Sequence, residues 1–299
     1  MDLLAAAQRD VGERWYRNEI TPADEHLASG VTAAALDTLM GETSQSARDT
    51  HSVVTCAEGD FHSLAAQMFG ESLREHGISV TVLGASTPAD VVAEFLVRSG
   101  ADSLAISCSI PIFFPGTVRV IDAAHRQGIP VIVGGRAFGN SPSRAERLGA
   151  DAWALTAADA TAILLAWKSE PPSVGRDPTP VDPVGLRLTA QADVLGGAAF
   201  DGFAARFPPM TDYDESQVAH TREDLVFIVR FLAAALLAAD HAIFSDFLDW
   251  RQNLLVSRGV PPQALNARLE ALRPAVEVVD TGAACLLDLG RQQLLGGLR

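Results

Sequence analysis

The sequence is poor in several features that would tie it to a familiar class of partner. It has three cysteines, Cys56, Cys108 and Cys285, spread along the chain with no Cys-x-x-Cys pair. Neither a disulfide framework nor a thiolate zinc site is expected from that spacing. It lacks any run of basic residues: Lys and Arg number 23 against 37 Asp and Glu, a net charge of −14. Proteins that grip phosphate backbones draw on clustered cations, so direct nucleic-acid binding is not expected. The opening MDLLAAAQRDVGERW has no charged start followed by an apolar core, which argues against a secretory signal. The apolar stretch 225–239 is interrupted by Arg230 and is too short to span a bilayer comfortably. The expectation is a cytoplasmic protein with no membrane partner.

What the chain does have is apolar material, 48% of its residues, enough for a sizeable core. Its 299 residues suggest two domains rather than one. Composition divides it into segments. Residues 1–49 read as helical. Residues 50–169 alternate short apolar runs with amphipathic stretches. SVVTC (52–56), ISVTVLG (78–84), DSLAISC (102–108), IPVIVGG (129–135) and DAWAL (151–155) read as buried parallel strands. Helical patterns lie between them at 63–76, 88–99, 117–127 and 143–148. Strands alternating with helices imply βαβ units, with ligands at the carboxyl ends of the strands. Five such units suit a flavodoxin-like α/β domain. The segment 170–185 holds five prolines and reads as an extended linker. Residues 186–299 show no convincing strand. Apolar residues recur there at helical spacing over 222–259, Gly259 with Pro261 and Pro262 mark a stop, and the pattern then resumes.

The most informative stretch is Cys56-Ala-Glu-Gly-Asp60-Phe-His62-Ser-Leu-Ala65, between the first strand and the first helix of the α/β segment. An imidazole at that place can ligate a metal through one nitrogen. A carboxylate two residues earlier can accept a hydrogen bond from the other nitrogen, fixing the tautomer and raising ligand basicity. Ser107 closes the third strand and Gly134-Gly135 the fourth, where paired glycines let a ligand pass close to the backbone.

This order resembles the Asp-x-His-x-x-Gly signature of cobalamin-binding domains. The resemblance implies that His62 ligates cobalt from below, replacing the dimethylbenzimidazole base. It also implies that Asp60 supports His62, and that the displaced base enters a cleft bordered by Ser107, Gly134 and Gly135. Two departures stand out. Ala65 occupies the place of the motif's glycine, and the third strand ends Ser-Cys-Ser instead of Ser-x-Leu.

Further upstream, Trp15 is followed after nine residues by Glu25-His26. This spacing resembles the cap of CarH-type photoreceptors, which use adenosylcobalamin. The resemblance implies that Trp15 packs on the upper adenosyl group, Glu25 hydrogen-bonds it, and His26 takes the upper face of cobalt after light. The chain opens only 14 residues before Trp15, so the DNA-binding module and half the cap of that family are not expected here. Asp240, His241, Cys285 and Asp288, with Arg251 and Tyr213, lie in the C-terminal helical segment. Together with the cobalamin motif, this segment resembles the globin- or phycocyanin-like part of photocobilins, which hold biliverdin as well as cobalamin. The combined reading is an α/β, flavodoxin-like cobalamin domain with a short helical cap and a C-terminal all-α domain. The resemblance implies a light sensor and not an enzyme, with small-molecule chromophores as ligands. The alternative is a corrinoid-binding component of a methyltransferase or mutase. Whether the helical domain serves a homodimer or another protein partner stays open.

Overall fold

The computed structural model describes residues 2–40, 50–175 and 177–297. The chain divides into two compact units, Met1–Pro180 and Val181–Arg299.

The first unit begins with two helices, α1 (Asp2–Tyr16) and α2 (Pro22–Met40). They pack on each other and are pinned by Gln8, whose amide donates to Thr32 Oγ1 at 2.6 Å and accepts from Ser29 Oγ at 3.2 Å. A five-stranded sheet follows, made of β1 (His51–Cys56), β2 (Ser79–Gly84), β3 (Ser103–Ser107), β4 (Val131–Gly134) and β5 (Ala152–Trp153). Between and after the strands run α3 (Ser63–Glu75), α4 (Ala89–Ser99), α5 (Phe114–Arg126), α6 (Ser143–Arg147) and α7 (Ala157–Ser169). The expected strands and helices of this segment are present, with ends shifted by one to three residues. Helix α5 starts earlier than its polar pattern suggests, because Pro115 is tolerated in a first turn where its missing N–H has no intrahelical partner.

All strand pairs are parallel and the order is β2-β1-β3-β4-β5. That is the order of flavodoxin-like sheets, and it reverses between β1 and β3. Parallel strands buried on both faces are largely apolar, and the buried Ser103 hydroxyl of β3 donates to that of Ser52 in β1 at 3.1 Å. Successive side chains alternate faces. Val54, Cys56, Ala105 and Ile132 face one side, packed with Ala66 and Leu73 of α3 and Ala160 and Leu164 of α7. The alternate residues Val53, Leu104, Ile106 and Val133 are equally buried and form the other face. Helix α2 packs on α3, which brings the N-terminal pair to the helix that follows β1.

The second unit consists, among the described residues, of helices: α8 (Pro183–Arg206), α9 (Glu215–Leu237), α10 (Ala242–Ser257), α11 (Gln263–Val279) and α12 (Thr281–Gly297). Helix α8 packs on α9 and α11, while α10 packs on α9 and α12. Two boundaries differ from the sequence reading. The linker assigned to 170–185 ends sooner, since α8 begins at Pro183. Asp182 caps it by accepting from the Val184 N–H at 2.7 Å, and Pro183 fits the first helical position. The continuous pattern over 222–259 is two helices. Ala239 turns the chain at φ 49°, and Asp240 Oδ1 accepts the Ala242 N–H at 3.0 Å to start α10. No helix among the described residues is long and apolar enough to cross a membrane.

All three cysteines are free; Cys56 and Cys108 are buried at the carboxyl ends of β1 and β3, while Cys285 is exposed on α12. Burial, reinforced by the Asp60 charge, pushes the Cys56 thiol up to about 12, and burial also drives Cys108 well above the ordinary thiol range. Thiolate is the reactive form. Labelling of the native protein with iodoacetamide at neutral pH is therefore expected to modify Cys285 alone, and all three sites after denaturation. Peptide mass spectrometry checks this; fast native labelling at Cys56 or Cys108 would contradict the packing of these strand ends.

Candidate functional site

The site is built where the sheet order reverses. The loop after β1 and the loop after β3 leave adjacent strands there, and ligands of such folds bind in that crevice. The β1 loop is folded tightly on itself. Gly59 adopts φ +93°, a conformation L side chains avoid. Asp60 N–H donates to Ala57 O at 2.9 Å, and Asp60 O accepts from Ser86 N–H at 3.0 Å. Ser86 Oγ accepts the Gly59 N–H at 3.1 Å. The backbone of Asp60 is thus held from two sides.

The Asp60 side chain is 1% exposed. Its Oδ1 accepts the His62 N–H at 3.0 Å and lies 2.7 Å from His62 Nδ1. Its Oδ2 accepts the Ser109 N–H at 2.8 Å. Burial alone pushes this carboxyl up, but the hydrogen bonds from the His62 ring, His62 N–H and Ser109 outweigh it and hold it below the usual range. An ionised carboxylate only accepts hydrogen bonds, so the ring nitrogen facing it carries the proton. Nδ1–H therefore points at Asp60, and Nε2 presents its lone pair outward. The His62 side chain is 60% exposed, so that lone pair is accessible. The Asp60 hydrogen bond is also the main reason the imidazole holds a proton more tightly than a free one, with the charges of Asp60 and Glu25 adding to it against desolvation.

A cleft of about 140 Å³ lies between the ends of β3, β4 and β5 and the first turns of α3, lined by Ala65, Phe69, Ser107, Gly134, Gly135 and Leu155 among others. Ser107, Gly134 and Gly135, far apart in the sequence, meet here. The glycines also have a reason of their own. A Cβ on Gly135 would stand 2.4 Å from Cys108 O, at φ +100°, and one on Gly134 would stand 3.0 Å from Ala154 O. Ala65 is exposed and lines the same cleft, so its methyl narrows the opening where a glycine would not.

Of the upstream residues, Trp15 is half-buried at the end of α1. Glu25 accepts from Ser29 Oγ at 2.8 Å, on the helix that packs against α3. His26 is 82% exposed, its Nε2 3.6 Å from Glu25 Oε2. Sequence reasoning missed Ser109. Besides its N–H bond to Asp60, its hydroxyl stands 3.0 Å from His62 Nδ1. The available signal was Ser107-Cys108-Ser109, whose second serine falls in the loop just beyond β3.

This arrangement suits a corrinoid: an exposed, oriented imidazole nitrogen for the metal, and a mainly apolar cleft for a flat aromatic base. Residues 50–165 match the family model described as a B12 binding domain, and residues 1–40 match a second model with the same description. The HTH-type transcriptional repressor CarH of Myxococcus xanthus is 31% identical over 150 residues, 49% of this chain and 50% of that protein. The chain thus spans about half the length of the curated relative it matches. Among solved structures, the monomethylamine corrinoid protein of Methanosarcina barkeri overlaps with a TM-score of 0.47 at 21% identity, over 55% of this chain and 79% of the other. A cobalamin-binding protein of Desulfitobacterium hafniense gives 0.37 at 24% identity, over 54% and 77%.

Losing the Asp60 carboxylate removes the partner that orients His62. Asp60→Ala is expected to weaken cobalamin binding by about 10- to 100-fold, read by spectral titration with hydroxocobalamin. Asp60→Asn, which keeps one acceptor oxygen, should fall in between. Parent-like affinity in both variants would rule out the orienting role.

Proposed function

We propose that this chain, which carries a cobalamin-binding domain, is a light-responsive photoreceptor that uses adenosylcobalamin. One observation carries the reading: α2, which bears Glu25 and His26, packs on α3, the helix that His62 opens. The helix with the cap residues and the helix that follows the lower-ligand histidine therefore lie side by side in one unit. The similarity to the CarH repressor over half of each chain supports the same reading.

Each side chain has a task suited to its chemistry. His62, its ring held by Asp60 and Ser109, would hold the cobalt through Nε2. Ser107, Gly134 and Gly135 border the cleft for the displaced base. Trp15 offers a broad indole that shields the adenosyl group from water. Glu25, already steadied by Ser29, accepts hydrogen bonds from ribose hydroxyls. When bound, adenosylcobalamin supplies a cobalt–carbon bond that light can break. His26, exposed on α2, is the residue available to ligate the upper face afterwards. The task is signalling and not catalysis, with cytoplasmic location, no direct contact to nucleic acid, and a homodimer or protein partner as the output.

Biliverdin as a second pigment belongs to the same proposal and rests on the helical unit, which resembles globin- or phycocyanin-like bundles. A groove of about 530 Å³ there is lined by His241, Phe244, Ser245, Leu286 and Leu289 among others, and bilins take elongated, mostly apolar sites. Other residues noted for a bilin are engaged elsewhere. Arg251 pairs with Asp224, Tyr213 packs edge-on to Phe207, and Asp288 pairs with Arg273 at 2.9 Å.

The test is an absorption spectrum of the full chain with adenosylcobalamin, in the dark and after green light. The expected outcome is a bound, base-off spectrum that changes on illumination, with a different photoproduct spectrum in His26→Ala. A bound but light-stable cofactor would sink the photoreceptor reading in favour of a corrinoid-binding enzyme component. Titration with biliverdin is expected to give a protein-bound visible band; its absence would remove the pigment and leave the cobalamin reading intact.

A further inference from the structure

One cluster in the helical unit buries two guanidinium groups against a single carboxylate. Arg268 on α11 is 3% exposed, yet its Nε and Nη1 have no hydrogen-bond partner. Its Nη2 stands 3.5 Å from Asp224 Oδ2 on α9. That carboxylate is already engaged through its other oxygen by Arg251 on α10. Arg258 lies near enough to Arg251 for the two to repel. Phe203 offers its ring 5.0 Å from the Arg268 guanidinium, and Tyr213 lies within electrostatic range.

Two other arginines of this unit sit nearer the surface and are matched by acids, Arg273 beside Glu277 and Asp288, and Arg291 beside Glu270. Here two guanidinium groups share one carboxylate. Burial lowers the proton affinity of Arg268, Asp224 opposes that, and Arg251 adds to it. A guanidinium nevertheless keeps its charge in proteins. It cannot escape an uncompensated burial by losing a proton, as a lysine can. A water could accept one of the unmade N–H bonds but would not balance the charge. Leaving buried N–H groups and a buried charge uncompensated is costly. An oxyanion removes both costs together. Arg251 keeps 19% of its side chain exposed, so the cluster reaches the surface along that residue.

We propose that Arg268 and Arg251, with Asp224 between them, form an oxyanion site on α9, α10 and α11 that takes one carboxylate or phosphate group of a small ligand. The site is separate from the cobalamin cleft and does not depend on it. Arg268 supplies the charge and the unmade N–H groups; Asp224 fixes the spacing of the two guanidinium groups.

The experiment is thermal unfolding of the full chain by calorimetry, in sodium propionate, sodium phosphate or sodium chloride at matched ionic strength. A saturable rise in unfolding temperature of several degrees with propionate or phosphate, beyond that with chloride, is expected from binding to the native state. Arg268→Met should lose that response. In chloride it should unfold no lower than the parent, because an apolar side chain replaces an uncompensated charge. If Arg268→Met does not fold, Arg251→Gln, altered at the more exposed member, must lose the response instead. Identical behaviour in the three salts, or a full response in the variants, overturns the proposal. Biliverdin and its dimethyl ester then separate two sources of the carboxylate. An Arg268-dependent rise with the acid and not the ester assigns it to a bilin propionate; a rise with neither, where propionate acts, assigns it to a free small acid.

Discussion

A carboxylate as deeply buried as that of Asp60 has to be hydrogen-bonded or protonated. Its donors come from two loops: the His62 backbone and ring after β1, and the Ser109 N–H after β3. Satisfying one side chain therefore requires the two loops to meet, and they can meet only because β1 and β3 are adjacent strands. The same bonds decide which nitrogen of His62 carries the proton and which faces out. The meeting of the two loops and the tautomer of His62 thus rest on a single buried acid. Its backbone is fixed in turn by Ala57 and Ser86.

The cleft follows from a second constraint, close packing of backbone at the ends of β3, β4 and β5. Gly134 and Gly135 are needed by the protein before any ligand arrives, since a side chain at either would press on Ala154 O or Cys108 O. What remains is a cleft edged by small residues, Ala65 among them, with Ser107 as a polar group on its wall. The helical unit poses the opposite problem. There Arg268 lies buried without enough acceptors, and a ligand group can supply what the chain does not.

The α/β segment was legible because parallel strands buried on both faces leave unbroken apolar runs such as IPVIVGG, bounded by glycines. Asp60 and His62 were legible because two residues of separation suffice for the pair to meet within one loop. Ser109 was not, since the path of the loop after β3 decides which serine turns back to Asp60. The break at 238–241 was hidden by an alanine-rich run with neither Gly nor Pro; only the positive φ of Ala239 reveals it. The start of α8 was written in Asp182-Pro183 but obscured by the surrounding prolines. The Asp224, Arg251 and Arg268 cluster draws one residue from each of three helices, so no local spacing announces it.

The central claim is that His62 Nε2, oriented by Asp60, is the lower ligand of a bound cobalamin. Electron paramagnetic resonance of the cob(II)alamin form tests it most directly, using protein grown with ¹⁵N-labelled histidine. Coupling of the cobalt-centred electron to the axial nitrogen reports which nucleus is bound. A ¹⁵N doublet on the high-field lines, lost in His62→Ala, is the predicted result. A ¹⁴N triplet from the cofactor's own benzimidazole, unchanged by labelling, would contradict the account.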